Sequence, residues 1–254
     1  MKLKQVIPGV AAVAGLIAAL LLRNPALAEN ASGTMKLCYS LSLIAVVVGV
    51  TLTAAGFLPK RQKVSTRNLA MAAMFAALCY IGFAYLRIDI PVGSEKTAFH
   101  LGNVFCVLAA LFLGGMWGGL SGAVGLTLAD LTSGYVTSAP KTFLLKLCIG
   151  LIAGAVAHGV FHISREKRSH KQLVGATIAS CAAGMAFNVV ADPVVGYFYK
   201  VYVLGVPQNA ASIWAKIGAM TTLVNAVIAV AAASVLYLAL RPALEKSKLM
   251  PHLD

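Results

Sequence analysis

Nine polar side chains stand inside or at the ends of long apolar runs: His100, Asn103, Asp130, Tyr135, Lys141, Lys146, Asn188, Asp192 and Asn225. An ionisable group in hydrocarbon costs on the order of 2.5–3.5 kcal/mol, so each one needs a partner or a task. Asn188 and Asp192 are four apart and share a helix face, as do His100 and Asn103, three apart. Counted from Lys171, Asn188 and Asp192 lie roughly 25 and 30 Å along their span, near the same end as Asp130, Tyr135 and Lys141. Carboxamides, carboxylates and ammonium groups converging there from several helices suit the capture of a small hydrophilic molecule. The competing reading is neutralisation: Asp130 pairs with Lys141 or Lys146, and Asp192 with Lys200. Tyr135, Tyr197, Tyr199 and Tyr202 equally suit an interfacial aromatic belt.

Patterns for bond-making chemistry are missing. His158 and His162 have the spacing of a metal pair, yet no HExxH accompanies them and no carboxylate neighbours them in the span. There is no GxSxG and no GxxxxGK[ST]. No catalysis, cofactor or metal is expected, and ATP-driven work would have to come from another subunit. Cys38, Cys79, Cys106, Cys148 and Cys181 sit in apolar runs without CxxC spacing, as small core residues do.

The elements that must position the polar groups follow from composition. Hydrophobic residues make up 59% of the 254 and charged ones 11%, with mean hydropathy +0.84. Such a chain is an all-α polytopic membrane protein, because only structures with every backbone group satisfied cross hydrocarbon and the runs are too long for barrel strands. The net charge of +13 comes from clusters between the runs: Lys60, Arg61, Lys63 and Arg67; Arg165, Lys167, Arg168 and Lys171; Arg241, Lys246 and Lys248. These mark cytoplasmic loop ends in contact with anionic lipid, not a nucleic-acid surface.

Six spans are predicted at 67–86, 99–114, 117–132, 141–163, 172–198 and 211–240, in a domain 63–248 with its C-terminus cytoplasmic at the cell membrane. A two-helix extension, 1–62, precedes it; Ala26-Leu27-Ala28 leaves open a cleaved signal peptide in place of its first helix. The polar loop 87–98, "RIDIPVGSEKTA", is either a connector or a lid. Small residues repeat at four in Gly114, Gly118 and Gly122 and in the AxxxA rows of Ala72, Ala73, Ala76 and Ala77. Such rows let backbones approach closely, within the bundle or against another subunit.

The run His100-Leu101-Gly102-Asn103, the glycine-rich turn, Ala129-Asp130-Leu131-Thr132-Ser133-Gly134-Tyr135 and Ala139-Pro140-Lys141-Thr142-Phe143 with Lys146 and Gly150 resembles the substrate-binding S component of energy-coupling factor (ECF) vitamin transporters. The likeness covers about 64–242. It implies six membrane helices and a pocket near the outer face, closed by the first outer loop and built largely from the last three helices. It implies that Ala72, Ala73, Ala76 and Ala77 meet a transmembrane coupling subunit, with two ATPase subunits completing the importer. The extension 1–62, Asp192-Pro193, and Thr222-Leu223-Val224-Asn225-Ala226 depart from the family pattern, so the ligand does not carry over. An excess of Lys and Arg over Asp and Glu in the outer half favours a carboxylate or phosphate, as in a pantothenate-like molecule. The expected role is capture of a B-vitamin or precursor; a solitary transporter or a membrane-embedded enzyme remains the alternative.

Overall fold

The computed structural model describes residues 65–93, 95–164, 169–247 and 249, all within the unit Leu58–Asp254. The expected extension 1–62, with Cys38 and the basic residues Lys60, Arg61 and Lys63, lies outside the described residues, as do Arg165, Lys167, Arg168 and Lys248. The elements are α1 (Thr66–Ala84), β1 (Arg87–Val92), β2 (Glu95–His100), α2 (Gly102–Leu113), α3 (Gly115–Thr132), α4 (Ala139–Gly154), α5 (His170–Phe198) and α6 (Gln208–Lys246). Ser65 caps α1 by accepting from Asn68 N, and Ser169 with Gln172 forms a capping box at α5. α4 and α5 each continue into a wider π-helical turn, Ala155–Val160 and Tyr199–Val203. Among the described residues, four helical stretches are long and apolar enough to cross a membrane: Thr66–Ala84, Val136–Val160, His170–Val203 and Gln208–Lys246.

The predicted span 99–114 is shorter than expected. His100 belongs to a strand, and α2 has 12 residues, about 18 Å of helix, too short to cross hydrocarbon alone. Its sequence explains its place: after Asn103, GNVFCVLAALFL is apolar on every side, so no face suits a surface, and every residue except Phe105 is buried. α2 touches all five other helices, while α1, α3, α4, α5 and α6 touch one another consecutively in that order.

Glycines set how closely these helices approach. Gly114 takes φ +82° and turns the chain from α2 into α3 without a connecting loop. A Cβ on Gly150 of α4 would lie 2.2 Å from Gly119 Cα of α3, so the two backbones are in direct contact there. The small-residue rows sort by face. Gly118 and Gly122 pack on Ala110 and Cys106 of α2. Ala72 is buried and its carbonyl accepts from Ser121 Oγ at 2.9 Å, and the Ala76 carbonyl abuts Gly125. Ala72 is therefore packed inside the bundle, Ala76 is half-buried with its carbonyl against α3, and Ala73 and Ala77 are exposed.

Replacing Gly150 by Val should cost about 3 kcal/mol through overpacking against Gly119. The check is the unfolding midpoint in detergent, with Gly175→Val, whose Cβ would meet nothing within 4 Å, as the control expected to stay near wild type.

Candidate functional site

The loop expected as connector or lid is an antiparallel hairpin. Arg87 pairs with His100 and Val92 with Glu95, around a two-residue turn in which Gly93 has φ +61°. An isolated hairpin is marginal in water, and this one is held from three directions. Asn225 of α6 donates from Nδ2 to the Ala98 carbonyl at 2.9 Å and accepts His100 N on Oδ1 at 3.0 Å. Glu95 forms an ion pair with Lys200, whose ammonium lies 4.1 Å from the Trp214 ring centre. At the end of α3, Lys96 Nζ donates to Asp89 and to the Ser133 carbonyl, both at 3.1 Å, and the Tyr135 hydroxyl donates to Asp89 at 2.9 Å.

Beneath the hairpin lies a cavity of about 150 Å³, and all nine polar residues singled out by spacing line it. Their commitments differ. Lys141 Nζ pairs with Asp192 Oδ1 at 2.8 Å, and Thr222 donates to Asp192 Oδ2 at 3.0 Å. The expected pairings of Asp192 with Lys200 and of Asp130 with Lys141 or Lys146 do not form, because the hairpin brings Glu95 to Lys200 and leaves Lys141 to Asp192. Asp130 accepts instead from Thr142 Oγ1 at 2.5 Å. His100 Nδ1 accepts from Gly102 N at 3.1 Å, which places the ring proton on Nε2, and its ring packs 4.7 Å from that of Phe83. His100 and Asn103 thus lie on consecutive elements, not on one helix face. Asn225, expected as a ligand contact, spends both ends of its carboxamide on β2 and serves the roof.

Three lining groups remain uncommitted. Asn103 and Asn188 are each 1% exposed, and neither Oδ1 has a partner among the described residues. Lys146 is 8% exposed, and its Nζ makes no hydrogen bond or ion pair among them. Leaving a buried amide oxygen unpaired costs about 1–3 kcal/mol, so a bound molecule with matching donors recovers that energy. Pro193, also on the wall, has no N–H to give the α5 ladder.

The other candidates lie elsewhere. His158 bonds Ser164 Oγ and the Ala110 carbonyl, at 3.0 and 3.2 Å, as a buried strut. Tyr197 and Tyr202 both pack on Phe198, and Tyr199, like them, does not line the cavity. Spacing did not single out Phe83, Thr142, Trp214 or Thr222. The hairpin itself was signalled by "RIDIPVGSEKTAFH", two strand-length runs around Gly93-Ser94.

The Asp89 carboxyl lies outside the membrane-spanning helices. Partial burial alone would raise it, but hydrogen bonds from Tyr135 and Lys96 and the charges of Arg87 and Lys96 hold it below its ordinary value. A carboxyl lowered in the folded state stabilises above its unfolded value, about 3.9, and loses that contribution as pH falls through the lower one. In a Trp117→Phe background, acrylamide quenching of Trp214 should stay constant from about pH 8 to 5 and rise below about 4. Asp89→Asn should raise quenching at neutral pH. Asp192→Asn, which strands the Lys141 ammonium, should lower stability by about 3 kcal/mol, and Lys141→Met with Asp192→Leu should restore most of it.

A family model for the S component of ECF-type riboflavin transporters matches residues 63–242. No curated protein and no solved structure matches the chain.

Proposed function

The chain belongs to the family of ECF-type riboflavin transporter S components, and from that premise we propose that it captures a B-vitamin or precursor from outside the cell for an ATPase-driven importer. Membership makes it a multi-pass membrane, vitamin-binding transporter subunit and not a member of an enzyme family. The finer assignment places the hairpin at the external face and the C-terminus in the cytoplasm, in accord with the basic residues Arg241 and Lys246.

One observation carries the capture reading: among the residues lining a cavity roofed by a separately anchored hairpin are two almost wholly buried carboxamides whose oxygens have no partner among the described residues. Each is a standing cost that matching donors on a bound molecule would offset. In this reading Asn103, Asn188 and Lys146 contact the ligand, with Asp130, Lys141 and Asp192 shaping the wall. His100, Tyr135 and Asn225 join the hairpin to the bundle.

Delivery needs a coupling subunit with two ATPase subunits, and the exposed Ala73 and Ala77 give α1 the smooth strip on which such a helix docks. The family's name supplies riboflavin as the first ligand to test.

Mass spectrometry of the small molecule retained through purification in mild detergent is the direct test. A vitamin or precursor is expected, and its loss on Asn188→Leu should exceed tenfold in affinity, the equivalent of about 1.4 kcal/mol. Ala77→Trp should leave that binding within about twofold while abolishing cellular uptake and co-purification with ATPase subunits. Retained uptake in Ala77→Trp would favour transport without an ATPase module.

A further inference from the structure

The charges of the cavity sort into pairs with a remainder. Lys141 is taken by Asp192, Lys200 by Glu95 and Lys96 by Asp89. Lys146 is left over, and so is one oxygen of Asp130, whose other oxygen accepts from Thr142. No ion pair within 4.0 Å joins these two groups. Lys146 belongs to α4 and Asp130 to α3, so the cation and the carboxylate are presented from separate helices with the cavity available to both. The Lys146 ammonium has the two unpartnered carboxamides of Asn103 and Asn188 as fellow lining groups.

Resting on the capture reading above, we propose that the ligand carries an anionic group, a carboxylate or a phosphate, which seats on Lys146 Nζ. Hydroxyl or amide donors on the same ligand meet the oxygens of Asn103 and Asn188. A buried ammonium with no direct hydrogen-bond or ion-pair partner among the described residues keeps part of its desolvation cost, whereas an anion seated on it converts that cost into a charge-assisted hydrogen bond. A wholly neutral ligand offers Lys146 only dipoles. The composition of the wall agrees: charged, hydroxyl and amide side chains outnumber the apolar ones, among which Phe83, Leu126 and Trp214 are the large members. That surface suits a compact, strongly hydrated molecule better than an extended fused ring.

The test is calorimetric titration of the purified full-length chain, freed of retained solute, with pantothenate for the carboxylate, riboflavin 5′-phosphate for the phosphate and riboflavin as the neutral probe. Wild type should prefer one of the two anions over riboflavin by at least about tenfold; which anion wins identifies the source of the charge. Lys146→Gln should erase that preference, and Lys146→Arg should keep it, which separates loss of charge from loss of fold. Riboflavin binding tighter than both anions, a preference that survives Lys146→Gln, or binding of none of the three overturns the proposal. Tight riboflavin binding retained in Lys146→Gln would do so while leaving the capture reading intact. That reading fails separately, if the chain retains no solute on purification and never associates with ATPase subunits.

Discussion

A carboxamide sealed inside a protein must find partners, and this chain treats its three cavity asparagines in two ways. Asn225 gives both ends to the backbone of β2 and thereby fixes the roof. Asn103 and Asn188, no more exposed, leave their oxygens open. A fully satisfied carboxamide and one with an open acceptor are two states of one side chain, separated only by what stands opposite it. The remaining polar groups of the wall follow the same division: Asp192, Glu95 and Lys200 are committed, whereas Lys146 is not.

That arrangement depends on a helix with almost nothing polar in it. Beyond Asn103 in its first turn, α2 is apolar and touches every other helix of the bundle, so its register sets where each neighbour sits. Gly118 and Gly122 let α3 lie directly on it, and the Gly119 and Gly150 contact brings α4 in behind. Asp130 on α3 and Lys141, Thr142 and Lys146 on α4 reach one cavity because the backbones beneath them are nearly touching. With larger residues at those glycines the same polar groups would stand too far apart to bound a common space.

Much of this was legible from spacing. Long apolar runs fixed the helical class, and the rarity of polar residues within them singled out nine that do line one cavity. What spacing could not supply was pairing. Sequence distance favoured Asp192 with Lys200 and Asp130 with the nearby lysines, but partners in a bundle are chosen by helix rotation and by the hairpin's reach, neither of which is local. The same limit applied to the alanine rows: AxxxA says that a face is smooth, not whether it looks inward or outward, and Ala72 looks inward while Ala73 and Ala77 are exposed. The hairpin was missed for another reason. Reading 87–98 as an outer loop discarded the strand runs flanking Gly93, and with them the assignment of His100 and Asn225 to the roof.

The hairpin is bolted to α6 through Asn225, to the end of α5 through Lys200 and to the end of α3 through Ser133 and Tyr135. No single helix movement frees it, because the other two bolts still hold. Freeing the whole hairpin requires all three sets of contacts to break. In a protein whose task is capture, a roof anchored to three helices would act on the release of what it covers more than on the encounter.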